Sequence, residues 1–73
     1  MSTEDLRSYV KRRRKELGIT QVELARRSGV GLHLVRDIEQ GKTGLQTGKV
    51  NQVLFLFGAK LAPVPMTEEE RVR

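Results

Sequence analysis

The sequence predicts an all-α domain, a bundle of about four short helices, followed by one C-terminal β-strand that needs a second copy of the chain to pair with. Three observations carry this. Residues 20–41, TQVELARRSGVGLHLVRDIEQG, hold two short apolar-edged stretches with glycines at their ends. Val50, Val53, Leu54 and Phe57 fall at i, i+3, i+4 and i+7, the cleanest helical period in the chain. Pro63 and Pro65 exclude helix from Ala59 to Pro65 and favour extended backbone there. The expected organisation is a helical domain over residues 1–58, a strand over 59–65 and a flexible charged tail over 66–73.

The first helix is expected from about Thr3 to Leu17, with Ser2 or Thr3 as its cap. At about 100° per residue, Val10 lies about 40° and Leu17 about 20° from Leu6, forming one apolar stripe, and Arg14 borders it at about 80°. Thr20 followed by Glu23 is the pattern of a capping box and opens the second helix. Leu24 and Ala25 give that helix its apolar edge, and Gly29 ends it where a left-handed backbone is needed. The third helix follows Gly31, buries Val35 and Ile38, and closes at Gly41. Residues 41–46 form a loop. Thr47 is expected to cap the fourth helix, which also carries Phe55 and Leu56 off its main stripe and so has more than one face to bury.

Two short helices joined by about three residues including a glycine make either a helix-turn-helix or an ordinary helical hairpin, and the spacing alone leaves both open. Residue identities favour the first. Gly18-Ile19-Thr20-Gln21, Leu24-Ala25, Ser28-Gly29-Val30, Val35 and Ile38-Glu39-Gln40-Gly41 resemble the phage-repressor and Cro-type helix-turn-helix proteins (the XRE family), over roughly residues 6–57. The chain departs from that pattern at Arg13, often apolar there, and at Gly31, often serine. The resemblance implies a lambda-repressor-like fold. Residues 53–65 are similar to the end of the small HipB-like antitoxins, whose last strand pairs between subunits. Pro63 is awkward in such a strand, because it removes one ladder donor. The alternative for this segment is an unpaired proline-bearing tail.

The chain has 73 residues, a net charge of +5, only three aromatic residues and no cysteine. A pI near 10.3 attracts polyanions, a property shared with ribosomal and membrane-surface proteins. Absence of cysteine excludes a disulfide framework, a thiolate metal site and a cysteine nucleophile, and is consistent with a reducing cytoplasm; the DNA-binding resemblance implies a bacterial, nucleoid-associated location there. No apolar run reaches the length of a membrane span, and the N-terminus has no signal-peptide core. One histidine and scattered carboxylates make neither a metal site nor a catalytic triad, and no phosphate-loop or nucleotide fingerprint is present. No cofactor and no enzymatic activity are expected.

By resemblance, Gln21 at the start of the second helix contacts phosphate and buttresses the third, and Thr20 shares that phosphate. Leu32, His33, Arg36 and Asp37 of the third helix meet base edges. Arg36 has the chemistry to give two hydrogen bonds to guanine, and an exposed Leu32 would suit a thymine methyl. Asp37 would accept from cytosine or orient Arg36. Lys42 and Thr43 suit the flanking phosphates. Arg14 and Glu39 form a structural ion pair in the family. The basic run Lys11–Lys15 is a solvated face or lies partly near phosphates. Phe55, Leu56, Leu61 and Val64 are the expected dimer contacts. The function implied is a homodimeric repressor on a palindromic operator in double-stranded DNA, and specifically the antitoxin of a HipBA-like toxin–antitoxin operon, complexed with a HipA-type kinase toxin. A stand-alone phage or plasmid repressor and a basic protein-interaction module are the alternatives.

Overall fold

Local chemistry sets where each helix of this chain begins and ends. The computed structural model describes residues 4–72. Helix α1 spans Leu6–Glu16, and its cap is Asp5, whose carboxylate accepts the Ser8 N–H at 2.8 Å. Ser2 and Thr3, the expected caps, lie outside the described residues. Helix α2 spans Gln21–Ser28 and starts as expected, with the Thr20 hydroxyl accepting the Glu23 N–H at 3.1 Å. Only this half of the capping box forms, because the Glu23 carboxylate turns to Arg26, whose Nε donates to it at 2.8 Å. Gly29 adopts φ 74°, and the Val30 N–H reaches back to the Ala25 carbonyl at 3.1 Å, turning the chain sharply into the next helix.

Helix α3 spans Leu32–Glu39 and starts at Gly31 without any side-chain cap, a direct consequence of glycine at this position. Helix α4 spans Thr47–Leu56. Its N-cap is Gln46, not Thr47, which is the first helical residue, and no side chain caps this end either. Residues 66–73 were expected to be a frayed tail, yet a single turn forms as α5, Glu68–Arg71, held by a complete capping box between Thr67 and Glu70. All of its residues are exposed.

The core is a single cluster of Val10 from α1, Leu24 and Ala25 from α2, Val35 and Ile38 from α3, and Val50, Val53 and Leu54 from α4, closed by Phe57. Helix α2 packs against α3 and α4, and α1 against α3. Burial of these side chains stabilises the fold by about 1.5–3 kcal/mol each relative to exposure. Leu17, expected on the buried stripe, is 48% exposed. The periodicity fails there because α1 ends at Glu16, and Ile19, beyond the Gly18 turn, packs against the core instead. Arg13, the departure from the family pattern, has a structural use. Its guanidinium lies 5.6 Å from the Phe57 ring centroid and donates to the Phe57 carbonyl at 3.4 Å, placing positive charge at the C-terminus of α4.

The expected strand over 59–65 does not form. Among the described residues no β-strand is present, and this segment runs without regular structure. A lone extended segment has no ladder to complete within its own chain. It is tethered to the domain by the Leu61 N–H, which donates to Asn51 Oδ1 of α4 at 2.8 Å.

Candidate nucleic-acid interface

The orientation of α3 is fixed by one buried cluster. Glu39, at its C-terminal end, is only 5% exposed. Arg14 of α1 grips it with Nε at 2.7 Å from Oε2 and Nη2 at 3.0 Å from Oε1, a bidentate fork. Gln21 at the start of α2 donates its side-chain amide to Glu39 Oε1 at 3.1 Å. The remaining Arg14 nitrogen donates to the Ile19 carbonyl at 3.0 Å, in the turn between α1 and α2. Three helices and one turn therefore converge on a single carboxylate. Burial pushes the Glu39 carboxyl up, but the hydrogen bonds from Arg14 and Gln21 and the charges of Arg14 and Lys11 outweigh it and hold it below its ordinary value.

With α3 held this way, its outer face presents His33 and Arg36, both exposed. Leu32 differs from expectation: it is partly buried against the core, so its methyls are shared between packing and any base contact. Leu34 likewise packs partly against the core. Asp37 does not orient Arg36. Its side chain is mostly buried, with Lys42 Nζ at 3.1 Å from one oxygen and His33 Nε2 at 3.8 Å from the other. The acid thus ties the last turn of α3 to the loop that follows it. A direct role in accepting a hydrogen bond from cytosine would require those partners to move.

The flanks of α3 carry donors. The Thr20 hydroxyl serves the Glu23 N–H, and the N–H groups of Gln21 and Val22, in the first turn of α2, have no partner within the helix. One amide hydrogen of Gln21 is used by Glu39 and the other stays free for a phosphate oxygen. Thr20 is exposed beside it, and Lys42 and Thr43 are exposed in the loop that follows α3. The basic run resolves into different roles. Arg12 bridges Glu4 and Glu16, Arg13 meets Glu16 and Phe57, and Arg14 is held by Glu39, so these three are bound within the fold. Lys11 and Lys15 remain exposed. Glu16 lies on α1 at helical spacing from Arg12 and Arg13, whereas Glu39 and Phe57 come from distant parts of the chain that periodicity alone does not link.

The residues expected at a dimer contact are not equivalent. Phe55 is 82% exposed, whereas Leu56 is half-buried against its own core. Leu61 and Val64 line a groove with Leu6, Tyr9, Leu54 and Ala59. Among the described residues no helix is long and apolar enough to cross a membrane, and no three acidic or histidine side chains converge as metal ligands.

Comparison with known proteins agrees with this architecture. Residues 5–65 match the model of the helix-turn-helix domain family. A protein of Sinorhizobium fredii, named as an uncharacterized HTH-type transcriptional regulator, is 44% identical over 57 residues, which span 78% of this chain and 75% of that protein. No solved structure matches the chain significantly.

The Glu39 cluster makes a stability prediction. Glu39→Ala leaves the Arg14 guanidinium without its partner and is expected to destabilise the domain by about 3–5 kcal/mol in denaturant unfolding; a loss below about 0.5 kcal/mol would show the pair to be unimportant. The acid dependence has a definite sign. Because the folded carboxyl titrates below its ordinary value of 4.5, its contribution is complete above that pH and is lost as pH falls through the folded value. The stability gap between the native protein and Glu39→Gln should therefore be full at neutral pH and narrow in acid.

Proposed function

The chain belongs to the helix-turn-helix domain family, and we propose that it is a sequence-specific DNA-binding repressor of transcription acting as a homodimer on a palindromic operator. The observation that carries this is the exposed face of α3, with Arg36 and His33 exposed while the helix behind them is clamped by Arg14, Glu39 and Gln21. A helix presented in this manner fits the major groove, and Arg36 has the geometry to give two hydrogen bonds to guanine O6 and N7. The α2 N-terminus and Lys42 with Thr43 supply phosphate contacts that set register. Lys42 exchanges Asp37 for a phosphate in doing so. Occupying the operator in this way blocks access to the promoter.

Backbone chemistry of the C-terminal segment supports the dimer. In an extended segment, successive residues turn their N–H and C=O groups to opposite edges. The Leu61 N–H faces Asn51, and in a strand formed on pairing, positions 63 and 65, both proline, would share that inward edge and lack only donors that no ladder there would use. The outward edge carries the intact N–H and C=O groups of Lys60, Ala62 and Val64. Antiparallel pairing about a twofold axis at Ala62 matches each Lys60 with a Val64 of the second copy. Pro63 is thus compatible with a paired strand, and exposed Phe55 lies on the helix that precedes it.

The likeness of residues 53–65 to the end of HipB-like antitoxins further supports an antitoxin role, in which the protein binds a HipA-type kinase toxin and represses their shared operon. A stand-alone repressor needs the same DNA and dimer chemistry without that partner. A basic protein-interaction module would use the charge without base readout.

Two outcomes are expected. Arg36→Ala should relax preference at one base position per half-site by about 1–3 kcal/mol, while Lys42→Ala should weaken all sequences alike and flatten the salt dependence. Equal weakening of every sequence by Arg36→Ala would rule out base reading by that residue. In sedimentation at micromolar concentration the intact chain should be a dimer, and removal of residues 59–73 should give a monomer whose operator affinity drops because each half-site binds alone. An intact chain that sediments as a monomer overturns the twofold strand.

A further inference from the structure

The first turns of α1 carry a feature that the DNA reading above leaves unused. Four arginines lie on this helix. Arg12, Arg13 and Arg14 each hold a carboxylate, whereas Arg7 has no carboxylate within ion-pair distance among the described residues. Its side chain lies across Gly41, just beyond the C-terminal end of α3. A Cβ at Gly41 would stand 3.3 Å from both Cδ and Nη1 of Arg7, so the glycine is what allows the guanidinium to cross there. Gly41 also needs its φ of 77° to send the chain from α3 into the Lys42 loop.

Arg7, Lys11 and Arg14 occupy one row of α1 at i, i+4 and i+7, and this row runs along the C-terminal part of α3. Arg14 is consumed by Glu39, and the charge of Lys11 reaches the same carboxylate. Arg7 is the member that projects past the end of α3. It lines a cleft of about 300 Å³ with Asp5, Leu6, Ile38, Gly41 and Lys42. Asp5 is the acid of that cleft: its carboxylate accepts the Ser8 N–H that it caps, and that bond, with the nearby charge of Arg7, holds it below its ordinary value. The other charge there, Lys42, faces Asp37 in the free protein.

We propose that Arg7, reaching across Gly41 beside Lys42, is a phosphate-binding residue that grips the DNA backbone at the C-terminal end of α3. The inference rests on the DNA-binding reading. It adds a contact from the α1 row to those assigned to the α2 N-terminus and to Lys42 with Thr43. A guanidinium suits this position because its planar fork holds two phosphate oxygens, where an ammonium offers a single point of charge. Such a contact fixes how far α3 rolls in the groove, and so which bases Arg36 meets, without itself reading sequence.

The test is the salt dependence of binding by the full chain to a duplex selected from a random pool, followed between about 50 and 200 mM salt. Arg7→Gln should reduce the slope of log K against log salt by about 0.9 per half-site, with base preference unchanged, and Arg7→Lys should restore the slope. An unchanged slope for a folded Arg7→Gln overturns the proposal. Phosphate-ethylation interference, compared between the native protein and Arg7→Lys and Arg7→Gln, locates the contact: one phosphate per half-site should lose its sensitivity in Arg7→Gln and keep it in Arg7→Lys, and an unchanged pattern in Arg7→Gln overturns the proposal. A native protein that shows no preference for the selected duplex would instead remove the DNA reading itself, a failure distinguishable from loss of the Arg7 contact alone.

Discussion

A carboxylate buried to 5% exposure in a domain this small has to be paired, and the Arg14–Glu39 fork is the constraint on which the rest of the structure depends. It joins the end of α3 to the last turn of α1, and Gln21 brings in the start of α2. The apolar core holds the same three helices together, but aliphatic contacts tolerate sliding and rotation more readily than a bidentate ion pair does. Hydrogen bonds of fixed direction set the roll of α3 about its own axis, and the roll decides whether Arg36 or Asp37 points outward. Stability and recognition are therefore tied to one group of atoms.

The same pair explains how a highly basic helix coexists with a folded core. Lys11–Lys15 is a run of five cations, yet Arg12, Arg13 and Arg14 are each answered from a different part of the chain: Glu4 and Glu16, the ring and carbonyl of Phe57, and Glu39. Arg13 shows how a departure from the family pattern is accommodated, since a guanidinium over an aromatic ring keeps much of the apolar packing that an aliphatic residue would provide. What is left for a polyanion is a selected subset of the positive charge, arranged around α3.

Much of this was legible in the sequence. Glycines at 29 and 41 and the Thr20 cap marked the helix ends, because those signals act within a few residues of the site they control. The stripe of Val50, Val53, Leu54 and Phe57 gave the core face of α4. The Arg14–Glu39 pair was legible through family likeness, since nothing in a linear pattern links positions 25 residues apart. Other features were not readable for physical reasons. Leu17 follows the apolar period but lies past the last helical residue, where periodicity has no force. Leu32 looked exposed, yet a side chain in the first turn of a helix leans back toward the N-terminus and here meets the core. The engagement of Asp37 by Lys42 depends on the turn at Gly41. The proline spacing over residues 59–65 reads as extended, but a lone segment has no ladder to complete within its own chain and runs without regular structure.

That the clamped α3 reads base sequence, and is not merely drawn to negative charge, is tested most directly by a specificity ratio. The measurement is equilibrium competition, at physiological salt, between a duplex selected by the protein from a random pool and a scrambled duplex of the same length and composition. A base-reading helix should favour the selected duplex by about a thousand-fold or more. A ratio near one, with both affinities falling together as salt rises, would contradict base reading and leave the positive surface as an attractor of any polyanion.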